Sequence, residues 1–219
     1  MIHFATPCID NFFKYPDAIR KYANSLDFDS VQKEYPGKRT KELALLNPAL
    51  SESINIKYLY SQYTTGVPIQ CKTESYFQKI GGKFDKGWVH SDHRIVHTTI
   101  VYLMPNASLD SGTSLWIPKE SRHPLISDTD NTLIKHKFYT NEISSEEAEG
   151  HRLKWNDNFD EVTRFANVYN RCIGFDGSQW HSANNFAQAD EKERLTLITF
   201  WVDIVGPQTG LQRTQMEVI

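Results

Sequence analysis

The chain has 219 residues, enough for one domain with its own core and short for two. Hydrophobic residues make up 39% and charged residues 23%, with a formal net charge of −3, which excludes a disordered polymer and a protein drawn to nucleic acid or an anionic membrane by its overall field. The three cysteines, Cys8, Cys71 and Cys172, form no CxxC or disulfide framework, no stretch reaches the length of a membrane span, and Asp10, Lys14 and Asp17 break any leader-like run, so a cytoplasmic location is expected.

Taken in chain order, residues 1–55 read as mainly helical support. Pro16 suits a first helical turn, with Asp17 complementing the dipole, and Ile19, Tyr22, Ala23 and Leu26 follow at helical spacing. Tyr35-Pro36-Gly37 reads as a turn. Lys38-Arg39-Thr40-Lys41 reads as a solvated loop, with a local basic patch as the alternative. Thr40 is placed to cap a second helix through Glu42, Leu43, Leu45 and Leu46. These helices are expected to lie on one face of a sheet.

Residues 56–205 change to β texture. Aromatic-rich runs at 56–63 and 73–80 precede the break at Gly81-Gly82. The strongest strand signal is 94–103 (RIVHTTIVYL); 113–117, 164–169, 171–175 and 194–202 complete the set. Many short strands and few crossover helices predict an antiparallel sandwich or barrel, within a single domain over 1–219. Residues 118–161 form a polar insertion, read either as a lid or binding segment or as surface decoration. A helix is expected within 144–155, capped by Ser144 or Ser145, with Glu146 and Glu147 in its first turn.

His90-Ser91-Asp92 carries the chemistry. On a strand, positions i and i+2 share a face, so His90 and Asp92 can reach one ion while Ser91 points away. His181 is the natural second imidazole, after the strand-like run 172–175 and the turn Asp176-Gly177-Ser178. Two imidazoles and one carboxylate are the donors that leave open positions on a ferrous ion. The alternative is that these histidines are structural. By parity His93 and His97 fall on the opposite strand face, and His3, His123, His136 and His151 read as surface or loop residues.

Arg194 opens the last strong strand, with Thr196 on its face. A guanidinium there can fork onto a dicarboxylate cosubstrate, or it can make an ordinary surface ion pair. If the strand after the HxD is unbroken, Arg94, Val96, Thr98, Ile100 and Tyr102 share the face of His90 and Asp92, a parity that a bulge near Arg94 would shift. Thr98 would then line the pocket. The Tyr102 phenol would donate to the cosubstrate or else be a core tyrosine.

HSD followed by TTIVYL, SGTSLW, RCIGFDGSQWHSANNF and ERLTLITFWV resembles the prolyl-4-hydroxylase-like branch of the Fe(II)/2-oxoglutarate-dependent dioxygenases over about residues 73–203. The resemblance implies an α+β, mainly β, double-stranded β-helix (jelly roll) with the N-terminal helices packed on one sheet. It implies iron at His90, Asp92 and His181. Arg194 would grip the distal carboxylate of 2-oxoglutarate, helped by Tyr102 and Thr196. It implies Fe(II), 2-oxoglutarate and O2 as cofactors and cosubstrates, and hydroxylation of an amino-acid or peptidyl C–H bond with release of succinate and CO2. The chain departs from the pattern at Ser111, where the family often has glycine, at Met104, and in a longer gap from His181 to Arg194. Asp92, retained, argues against halogenase variants. Rival readings keep the chemistry on a nucleobase or small metabolite, or make the chain a non-catalytic jelly-roll binding module without iron affinity. The partner is expected to be a small-molecule or polypeptide substrate, with no membrane; the acidic balance counts against nucleic acid without removing it.

Overall fold

Proline at the first helical position and an acidic first turn start α1, Pro16–Asn24, which follows two short strands, β1 (Ile2–His3) and β2 (Cys8–Ile9). The edge strand β3, Lys38–Arg39, precedes α2, Leu43–Leu46, and α3, Pro48–Gln62. The computed structural model describes residues 2–3, 6–29, 35–62, 68–81, 87–92, 94–119, 128–140, 142–186, 193–206 and 213–214.

Two N-terminal expectations are corrected. Residues 56–62 are not strand but the second half of α3, which buries Ser51, Ile54, Tyr58 and Leu59, one helical face. The aromatic density there reflects contact with a sheet rather than membership of it. Thr40 caps nothing: Glu42 precedes α2 without a side-chain hydrogen bond. The Thr40 N–H instead donates to the Phe77 carbonyl at 3.0 Å, and its Oγ1 accepts from the Phe77 N–H at 3.3 Å, pinning this segment to the sheet.

The remaining elements are β4 (Gln70–Gly81), β5 (His97–Tyr102), β6 (Thr113–Pro118), α4 (Asp128–Tyr139), α5 (Ser145–Asn156), β7 (Phe159–Phe165), β8 (Cys172–Asp176), β9 (Trp180–Ala183), β10 (Glu193–Val205) and β11 (Arg213–Thr214). Every pairing is antiparallel. One sheet runs β2-β8-β5-β10-β4-β3, a second β7-β6-β9, and β1 pairs with β11. The arrangement is jelly-roll-like: mainly antiparallel sheets with few helices. Among its described residues the insertion holds two helices. In α5, Ser144 stands at the N-cap and accepts from the Glu147 N–H at 3.1 Å, as its sequence predicts.

Alternation along β10 decides what each face of the larger sheet meets. Leu195, Leu197 and Trp201 join Phe77 and Val101 in a core shared with Ala23, Leu43, Ile54 and Tyr58 from the helices. Arg194, Thr196, Ile198 and Phe200 project to the other side, into a cavity between the two sheets. No helix among the described residues is long and apolar enough to cross a membrane.

Candidate metal centre

The expected strand through the HxD is broken. β5 begins at His97, and a turn precedes it in which the Ile95 N–H donates to the Asp92 carbonyl at 3.0 Å. Val96 consequently packs toward the helices rather than the cavity, against the even-number parity. The β8–β9 turn holds the break in place. The Asp92 N–H donates to the Gly177 carbonyl at 2.7 Å, and the Gly177 N–H reaches the Val96 carbonyl at 3.3 Å. A Cβ at Gly177 would collide with the Ile95 carbonyl oxygen, so this close approach requires glycine.

His90 reaches its place through an isolated β-bridge to His181, with mutual N–H to carbonyl bonds of 3.0 and 2.8 Å. The bridge sets the two rings side by side, centroids 4.3 Å apart. Each Nδ1 lies 2.8 Å from the carbonyl two residues earlier, Trp88 for His90 and Gln179 for His181. A carbonyl can only accept, so both Nδ1 atoms carry the proton and both Nε2 lone pairs are left free. Burial, with the positive charge of Lys135, holds the His90 pKa well below its usual value, which keeps the imidazole neutral.

Asp92 completes the set. Its Oδ1 is 4.0 Å from His90 Nε2 and its Oδ2 3.6 Å from His181 Nε2, and the three donor atoms lie within 4.8 Å of one another. Thr98 donates to Asp92 Oδ2 at 3.4 Å, orienting the carboxylate. The structure thus brings together the three residues that the sequence singled out. Two neutral nitrogens and one carboxylate form a donor set for a divalent transition ion with room for exogenous ligands.

This triad opens into the inter-sheet cavity, of about 280 Å³. Arg194 lies in that cavity at 3% exposure, flanked by the rings of Tyr102 and Phe186 at 5.4 and 5.7 Å, and its Nε has no hydrogen-bond partner among the described residues. Burial lowers its pKa, but a guanidinium stays charged. Thr196 lines the cavity two residues on, and Thr113 faces it from β6. Tyr102, opposite Thr196 in register, is fully buried, and its hydroxyl donates to Thr113 Oγ1 at 2.9 Å. The phenol expected to meet a cosubstrate is therefore engaged with β6.

Two charged cavity residues escaped the sequence reading. Arg39, from the run read as a solvated loop, points inward on an edge strand whose other residue, Lys38, pairs outward with Glu193 at 3.4 Å. Period-two alternation was the available signal, but two strand residues are too few to show it. Lys135 comes from α4, where the polar insertion offered no pattern. It lines the inter-sheet cavity and a second one, of about 510 Å³, beside His90, Asp92 and α4. Burial lowers its pKa to about 8, opposed by Asp92. His97 faces the helices as parity predicts. His93 and His123 lie outside the described residues, and for His3 the backbone alone is described.

By sequence the chain matches a family of unknown function (DUF6445) over residues 82–201, a span that takes in the triad, Arg194 and Thr196. No curated protein matches the sequence. By structure it is similar to HygX from Streptomyces hygroscopicus, solved with nickel, 2-oxoglutarate and hygromycin B bound, at 14% identity and a TM-score of 0.55 over 90% of this chain and 82% of that one. It is also similar to SnoK, a non-heme alpha ketoglutarate dependent carbocyclase from nogalamycin biosynthesis, at 12% identity and a TM-score of 0.52 over 90% and 79% of the two chains. SnoN, an epimerase in complex with Fe3+, alpha ketoglutarate and nogalamycin RO, matches at 12% and 0.51 over 94% and 83%. At these identities the likeness is one of fold.

Proposed function

The chain belongs to DUF6445, a family of unknown function, and we propose that it is an Fe(II)- and 2-oxoglutarate-dependent dioxygenase that hydroxylates a C–H bond of an amino-acid or peptidyl side chain, releasing succinate and CO2. Arg194 is the observation that carries this reading. A buried guanidinium with an unsatisfied Nε and no carboxylate partner among the described residues is costly unless an anion meets it, and this one shares a cavity with two imidazoles and a carboxylate. A dicarboxylate satisfies both ends at once.

His90, Asp92 and His181 would hold the iron, which when bound supplies oxygen activation and, with 2-oxoglutarate, the oxidising power for the C–H bond. The protein's own part is positioning and exclusion. Arg194 takes the distal carboxylate through its planar fork, with the Thr196 hydroxyl beside it. The Trp88 and Gln179 carbonyls fix both imidazole tautomers, and Thr98 steadies Asp92. Ile100, Phe175 and Ile198 wall the cavity against water.

The order of the motifs supports the prolyl-4-hydroxylase-like branch and its double-stranded β-helix. We also read residues 1–219 as one such domain, acting in the cytoplasm on a small-molecule or polypeptide substrate. An anaerobic titration of the apoprotein with Fe(II) and 2-oxoglutarate tests the reading. A visible metal-to-ligand charge-transfer band that requires both additions is expected. It should vanish in His181→Ala, with Fe(II) affinity down at least about a hundredfold, and weaken in Arg194→Ala. Folded wild-type protein with no band would overturn the proposal and leave the non-catalytic binding module.

A further inference from the structure

We infer that the substrate is a small organic acid whose carboxylate is held by Arg39 and Lys135, at the triad end of the cavity and apart from Arg194. This rests on the oxygenase reading above and adds the substrate class. Among the described residues, the charged side chains lining the inter-sheet cavity are Arg39, Asp92, Lys135 and Arg194, three cations against one carboxylate. Arg194 is matched by the distal carboxylate of the cosubstrate, and a divalent ion by Asp92 and the cosubstrate's other carboxylate. Arg39 and Lys135 are left without a counter-charge.

Their placement separates them from the cosubstrate end. Arg194 and Phe200 share one face of β10 and lie six residues apart, about 20 Å along the strand. Thr196, next to Arg194 on that face, stands opposite Tyr102. Phe200 stands opposite Thr98, the residue that reaches Asp92. Arg39 starts two strands away, level with Gln78 and Thr196, but its guanidinium lies over the Phe200 ring at 5.2 Å, which carries it along the sheet toward Thr98 and Asp92. Lys135 approaches from α4 and borders both cavities there.

Arg39 is built to present a fork rather than a loose charge. Its guanidinium stacks on Tyr35 at 3.6 Å and lies 5.6 Å from the Tyr76 ring. Nε donates to Gln78 Oε1 at 3.3 Å, and Gln78 is itself anchored through Nε2 to the Pro36 carbonyl at 2.7 Å. No carboxylate among the described residues pairs with Arg39 or Lys135, and the terminal nitrogens of Arg39 make no hydrogen bond there. A planar guanidinium fixed at Nε and stacked on rings suits bidentate capture of a carboxylate, with the ammonium as a second, more mobile donor.

The test uses the anaerobic protein loaded with Fe(II) and 2-oxoglutarate, titrated with L-amino acids, each as free acid and as carboxamide, and with inorganic phosphate. Binding is read from the shift of the charge-transfer band and by calorimetry. At least one acid should bind about tenfold or more tighter than its amide. Arg39→Met and Lys135→Met should each remove most of that preference while the band from Fe(II) and 2-oxoglutarate persists. Equal binding of acid and amide, no binding by any acid, or a preference that survives both substitutions overturns the inference. Phosphate binding as tightly as the best acid also overturns it, reducing the site to a general anion subsite. A missing band in the wild type instead faults the oxygenase reading.

Discussion

The two faces of the six-stranded sheet bury polar groups in opposite ways. Toward the helices, Ser75 pairs with Thr199 at 2.9 Å, Trp201 Nε1 donates to Thr99 Oγ1 at 3.3 Å, and the Tyr58 hydroxyl hydrogen-bonds His97 Nε2. Toward the cavity, Arg194 Nε is unpartnered and Arg39 makes a single side-chain hydrogen bond. Both faces come from the same alternating strands. Buried polarity that closes on itself serves the fold, and buried polarity that converges unpaired on a cavity is arranged for a ligand.

Stability should divide along the same line. Trp201, wholly buried on the helix side, should cost about 3–5 kcal/mol when changed to alanine, through lost burial and the cavity left behind. Arg194→Met on the cavity side removes an unpaired buried charge, and should leave the apoprotein unchanged or about 1 kcal/mol more stable. Urea unfolding of the metal-free proteins measures both. A loss in Arg194→Met as large as in Trp201→Ala would break the comparison, because Arg194 would then be serving the fold.

The helix side should also carry an acid sensitivity. Burial lowers the His97 pKa from 6.5 to about 4, so the unfolded chain takes up a proton that the native state refuses. The stability this neutral histidine contributes is whole above pH 6.5 and is lost as pH falls toward about 4, to a total of about 3 kcal/mol. His97→Gln cannot titrate, so its unfolding free energy should fall less than that of the wild type over this window. Parallel pH profiles for the two proteins would assign the acid sensitivity to other groups.

How legible each face was follows from range. The triad and Arg194 were visible because residue type, order and strand context all mark them. The helix-side core was visible wherever alternation ran long enough, as in β10. Residues 56–62 misled because aromatic-rich runs suit strand and helix alike, and only contact with the sheet, read as the spacing of Ile54, Tyr58 and Leu59, separates them. The break before His97 depends on a hydrogen bond to Gly177, which lies 85 residues beyond Asp92 and leaves no local trace. Arg39 and Lys135 were missed for the same reason: their surroundings come from β4, β10 and the opposite wall of the cavity, not from their neighbours in the chain.

Tyr102 stands between the two classes and gives the smallest and sharpest prediction. It lies beside the Arg194 guanidinium, yet its hydroxyl is paired within the fold, to Thr113. If that bond persists in the loaded protein, Tyr102→Phe should cost about 0.5–1.5 kcal/mol of stability and change 2-oxoglutarate affinity by less than about threefold. Should the phenol leave Thr113 for the cosubstrate carboxylate, the same substitution would weaken 2-oxoglutarate by about tenfold or more, the loss of a hydrogen bond to a charged group. Calorimetric titration of 2-oxoglutarate into the anaerobic Fe(II) protein, set beside Arg194→Met, distinguishes the two. A near-neutral result would place Tyr102 with the helix-side pairs despite its address, because its partner, not its strand face, determines its role.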